Sequence, residues 1–82
     1  MPSTLFLTSI AIVTTTVSSA ADAERLAQGA VHARLAACAQ LEAITSHYMW
    51  KGTLEHSAEW RVAFKTLPDA VAPLWAWLDV AQ

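Results

Sequence analysis

The chain has one cysteine, two glycines, three prolines and five basic residues in a length of 82. A lone thiol, Cys38, excludes an intrachain disulfide and a zinc site made only of cysteines. Five basic side chains against seven carboxylates leave a net charge of −2. That offers no basic stripe to nucleic acid and no electrostatic pull toward anionic lipid. No Gly-rich phosphate loop is present. Long hydrophobic runs are missing too. The most apolar stretch, Leu5 to Val13, is broken by Thr8 and Ser9, whereas a membrane-spanning helix takes about 20 apolar residues. Ser18-Ser19-Ala20-Ala21 would suit signal cleavage, but no basic residue precedes Arg25, and secretory signals start with positive charge. The unpaired cysteine fits a reducing compartment, so a cytoplasmic location is expected.

What the chain does contain is apolar surface. Hydrophobic residues make up 55 % and four are tryptophans, which is too apolar for intrinsic disorder. A chain this short makes one domain and buries only ~60 % of its unfolded surface. Domains of this size commonly rely on staples or on association. With disulfides excluded, self-association is the expectation.

Isoleucine, valine and threonine crowd the segment up to Val17, which reads as a strand from Leu5 to Val17. Ser19-x-x-Asp22 has the form of a capping box and predicts a helix with Ala23, Leu26, Ala27, Ala30 and Val31 on its apolar face, ending near Ala36. Leu41 to Trp50 reads as a long strand, with Glu42, Ile44, Ser46, Tyr48 and Trp50 on one side and Ala43, Thr45, His47 and Met49 on the other. Lys51-Gly52-Thr53 supplies a turn into a second strand, clearest where Trp60, Val62 and Phe64 alternate with Glu59, Arg61, Ala63 and Lys65. Thr66-x-x-Asp69 has a second capping pattern, ahead of an apolar stripe of Val71, Leu74, Trp75 and Leu78. Pro73 would remove a hydrogen bond inside that helix at ~3 kcal/mol, which puts the proper start near Val71.

The order β-α-β-β-α predicts an α+β, ferredoxin-like domain: an antiparallel sheet with two helices on one face and no final strand. Without that strand the first one is an open edge that something must cover.

Leu35-Ala36-Ala37-Cys38, Ser46-x-Tyr48-x-Trp50-Lys51-Gly52, Glu59-Trp60 and Lys65-Thr66 resemble the CutA divalent-cation tolerance family in order and spacing. Thr14-Thr15-Thr16 ahead of an Ala-Asp-Ala-Glu-Arg-Leu-Ala helix is similar to that family too. The resemblance spans roughly Ile10 to Leu78. It implies a ferredoxin-like subunit in a PII-like homotrimer, with long second and third strands pairing between subunits. It also implies tolerance of copper and other divalent ions without an established catalytic activity. Relatives usually continue after the second helix with a His-Pro-Tyr stretch, a loop and a further strand. This chain reaches Val80-Ala81-Gln82 there, so residues 1–82 are expected to form a single CutA-like domain, shortened at its C-terminal end. Some relatives use a cysteine ending the first strand as a copper ligand, with histidines from the later stretch. An ungapped alignment back from Cys38 puts Thr15 at that position, so the copper site is not carried over.

Cys38 is the one candidate metal residue. A copper site there needs a partner ligand, and the competing reading is a small residue buried at the helix–strand junction. His47 and Met49 share a strand side and form a second, copper(I)-leaning pair, or else lie at an interface or on the surface. Tyr48, Trp50 and Trp60 are assigned to the trimer interface, its clefts or the core. Lys65 is assigned to an anion contact in such a cleft or to a solvated strand end. Ser46 and His47 are adjacent on a strand and point to opposite faces, which excludes a Ser–His dyad, and no carboxylate pair has catalytic spacing. The expectation is therefore a non-enzymatic homotrimer with no nucleic-acid or membrane partner and no required cofactor, copper or another divalent cation being the candidate. The alternatives are an intersubunit metal buffer or chaperone, and a truncated structural copy with little activity.

Overall fold

The computed structural model describes residues 9–82. Strand β1 (Ala11–Val17) is followed by helix α1 (Ala20–His32), strands β2 (Cys38–Trp50) and β3 (Thr53–Thr66), a 3-10 turn at Pro68–Ala70, and helix α2 (Val71–Ala81). The sheet is antiparallel in the order β1-β3-β2. This is the predicted α+β, ferredoxin-like arrangement. Ser9 and Ile10 precede β1, and the Leu5–Thr8 part of the expected first strand lies outside the described residues.

Both helices pack on one sheet face, because that face carries the apolar alternation. Val13, Phe64 and Ala39 form one row across the three strands, and Thr15, Val62 and Leu41 the next. Above them lie Ala23, Leu26, Ala27 and Ala30 of α1 and Leu74 and Leu78 of α2, in one core. The α1 residues recur at i, i+3, i+4 and i+7, one stripe of a helix. Val31, expected on that stripe, is exposed instead. Of the α2 stripe, Leu74 and Leu78 are buried and Val71 packs against the core, but Trp75 is exposed and Trp77 takes the packing position. Trp77 lies three residues after Leu74 on the inward face and crosses α1 at Gly29, where a β-carbon would stand 2.8 Å from the ring. Any side chain at position 29 would have to displace the Trp77 ring.

The Ser19 hydroxyl accepts a hydrogen bond from the Asp22 amide (3.1 Å), so the first cap forms as expected. The far end differs. α1 stops at His32 rather than near Ala36, and Arg34 turns the chain with φ +62°. Leu35 N–H donates to Ala30 C=O and Arg34 N–H to Val31 C=O, closing a Schellman motif. Glycine usually occupies that left-handed position, and its absence hid the stop. Arg34→Gly is accordingly expected to stabilise the domain by about 0.5–1 kcal/mol, since a non-glycine residue there carries ~1–2 kcal/mol of strain and glycine costs some unfolded-state entropy. A rise in the urea midpoint with unchanged slope checks it.

Thr66 does not cap the second helix. It is buried, and its hydroxyl donates to the Leu35 carbonyl (2.7 Å), tying β3 to the loop after α1. Beside it Ala37 N–H donates to Lys65 C=O at 2.9 Å. Pro73 lies in the first turn of α2, where amides have no helical partner, so its missing N–H costs nothing. Arg25 donates to the Ala81 carbonyl (2.8 Å), which joins α1 to the end of α2.

Candidate functional site

β2 and β3 are 13 and 14 residues long, whereas β1 has seven. β1 pairs only with Trp60–Thr66, so the stretch from Ile44 to Glu59 leaves the body as a two-stranded ribbon. At about 3.4 Å per residue such strands reach roughly 45 Å, which accounts for the 49 × 23 × 22 Å shape. The ribbon closes in two residues. Lys51 (φ +49°) and Gly52 (φ +78°) are both left-handed, as a type I′ turn demands. Trp50 therefore pairs with Thr53, and the register of every pair behind them follows.

Register sorts the sequence candidates onto two faces. On the face away from the helices lie Cys38, Tyr48 and Trp50 of β2 and Lys65 of β3, with Ile12 of β1 beside Lys65. Cys38 and Lys65 are directly opposite each other, and both are half-buried. Cys38 is a free thiol at the start of β2. Trp60 lies on the opposite, helix-facing side, between Val17 and Ala43, half-buried against the core. Tyr48 and Trp50 stand two residues apart on the ribbon, 44 % and 60 % exposed. The Lys51 ammonium lies 5.7 Å from the Trp50 ring. Closer to the body, Arg61 and Glu42 form an exposed ion pair at 2.8 Å on the same face as Cys38.

The helix-facing side of the ribbon brings together a pair not anticipated from the sequence. His47 and His56 are direct cross-strand partners, with ring centroids 5.7 Å apart and planes tilted by 39°. Met49, expected as the partner of His47, pairs with Leu54 in the next row. The signal for the histidine pair was available. A two-residue loop at Lys51-Gly52, counted outward, sets His47 opposite His56. Taking the turn as three residues concealed it.

Among the described residues, no group of three or more His, Cys, Asp and Glu side chains could hold a metal ion. An open groove of about 460 Å³ runs between α1 and the free edge of β2, lined by Gln28, Val31 and His32 on the helix and Ala39 and Leu41 on the strand. No helix among the described residues is long and apolar enough to cross a membrane.

Residues 11–81 match the family model of the CutA1 divalent ion tolerance protein. No curated protein matches the chain at a significant level. Among solved structures, CutA from Synechococcus elongatus PCC7942 is 37 % identical with a TM-score of 0.85, over 89 % of this chain and 65 % of that one. The chain thus spans about two-thirds of the length of that relative. The divalent ion tolerance protein CutA1 from Ehrlichia chaffeensis has 26 % identity and a TM-score of 0.85, over 93 % of this chain and 72 % of that one. The divalent cation tolerance protein from Thermus thermophilus has 29 % identity and a TM-score of 0.80, over 90 % and 73 % respectively. With the sheet order, the projecting ribbon and a family match over almost all described residues, the chain belongs to the CutA1 divalent ion tolerance family.

Proposed function

We propose that the chain is a non-enzymatic, cytoplasmic divalent-cation tolerance protein that works as a homotrimer, copper being the first ion to test. The observation that carries this reading is the ribbon of β2 and β3. A two-stranded ribbon is marginal by itself in water, and this one presents Tyr48, Trp50, Met49 and Leu54 to solvent. Large aromatic side chains of this kind anchor protein interfaces. A neighbouring subunit would bury them and pair with the ribbon. Three copies, rather than two, is what the family resemblance implies. In this arrangement Tyr48 and Trp50 form the contact, Trp60 stiffens the base of the ribbon, and Lys65 faces a cleft between subunits.

Sedimentation equilibrium tests the assembly. A species of about 27 kDa is expected, three times the 8.9 kDa chain, and Tyr48→Ser with Trp50→Ser should dissociate it. A folded 8.9 kDa species at all concentrations would contradict the trimer. Expression in a copper-sensitive host should raise the copper concentration it survives, and no change would contradict the tolerance role.

An intersubunit metal buffer is the second reading, favoured by the position of Cys38 on the same sheet face as Tyr48 and Trp50. Copper(I) titration followed by mass spectrometry separates it from the first. No copper retained at concentrations on the order of micromolar would remove it, as would equal retention by Cys38→Ser.

A further inference from the structure

We infer that His47 and His56 form a two-imidazole site for a late divalent transition-metal ion such as Ni²⁺, Zn²⁺ or Cu²⁺, built on the helix-facing side of the β2–β3 ribbon. The two side chains are direct cross-strand partners, and both are exposed. Their ring centroids are 5.7 Å apart. A metal–nitrogen bond of about 2.0–2.1 Å places the ion roughly 3 Å from each ring centre, so two rings sharing a tetrahedral ion have centroids roughly 5 Å apart. The observed centroid spacing of 5.7 Å lies within about 1 Å of that.

The surroundings suit a cation. On this side of the ribbon the neighbouring rows are Thr45 with Ala58 and Met49 with Leu54, so no lysine or arginine faces the pair. Imidazole is a ligand of choice for zinc, nickel and copper. The backbone also prearranges the two ligands. The type I′ turn at Lys51-Gly52 fixes the register, so a metal held by one imidazole meets the second as an intramolecular partner. In the single chain both rings are exposed, which leaves the remaining coordination positions to water. Met49 lies one row away toward the turn on the same strand side as His47.

The inference adds a site and an ion class to the tolerance reading. Both ligands belong to one chain, but Met49 and Leu54 in the next row are among the residues a neighbouring subunit would cover. The site is therefore titrated in the wild type and also in the Tyr48→Ser, Trp50→Ser variant, which should keep it. Calorimetric titration of the purified chain with Ni²⁺ and with Zn²⁺ tests it, beside His47→Gln, His56→Gln and the helix variant His32→Gln. One ion per subunit is expected, with an affinity weakened by about tenfold or more in each ribbon variant and unchanged in His32→Gln. Wild-type Tm should rise with added Ni²⁺, and that rise should vanish in both ribbon variants. Circular dichroism confirms that each variant is folded. Undiminished affinity in either ribbon variant, or no binding at all to the wild type, would overturn the site. Mass measurement on the same samples reports the assembly, so failure of the trimer and failure of the site are told apart.

Discussion

Phe64→Ala is expected to destabilise the fold by about 3–5 kcal/mol, the range for truncating a fully buried aromatic ring. Phe64 lies in the middle strand of the sheet with 0 % exposure. Val13 stands on one side of it and Ala39 on the other. Both of those neighbours are smaller, so neither can fill the space, and the cavity term adds to the lost transfer energy. Domains in general are stable by only ~5–15 kcal/mol, so the change removes a large part of the total. Urea unfolding should show the midpoint falling while the slope holds. A loss below about 1 kcal/mol would mean that the sheet and helices do not share one core there.

Trp60→Ala is expected to cost about 2–3 kcal/mol, less than the ~3–5 kcal/mol of a fully enclosed ring. The ring packs on the core beside Val17 but is only half-buried. It also lies where β1 ends and the ribbon begins, so its loss loosens the base of the hairpin as well as the core. Thermal unfolding at several protein concentrations separates the two contributions. The loss within one subunit is independent of concentration, whereas any loss through association grows on dilution. A negligible change at every concentration would remove Trp60 from both core and interface.

Most of the element order was legible before the structure. The strand-rich start, the Ser19 cap, the α1 stripe and the long strand before Lys51-Gly52 all carry local signals, and each element formed. Misreadings clustered where a local signal was absent or shared. Arg34 holds a left-handed turn without glycine, so nothing marked the end of α1. Thr66 resembled a cap because hydroxyl residues favour caps, yet its hydroxyl was claimed by the Leu35 carbonyl from another part of the chain. Trp75 and Trp77 are equally hydrophobic, and only the crossing of α2 over Gly29 decided which one packs inward.

The candidate site was legible as a set of residue types and much less as an arrangement. Tyr48, Trp50 and Lys65 share a sheet face with Cys38, whereas Trp60 lies on the other side. Strand periodicity puts Tyr48 and Trp50 together, but relating β2 to β3 needs the register. That register depends on whether the turn has two residues or three.

The sequence by itself determined a short, apolar, mildly acidic chain of β-α-β-β-α order, with a single thiol and a family resemblance spanning most of its length. Those properties reside in composition and short-range periodicity, which need no knowledge of the fold. Tertiary structure alone decided that β2 and β3 outrun β1 by several residues, that Cys38 faces Lys65, and that His47 meets His56. The reason is physical. Pairing across strands depends on how two distant segments align, and a shift of one residue in a strand reverses every side chain it carries.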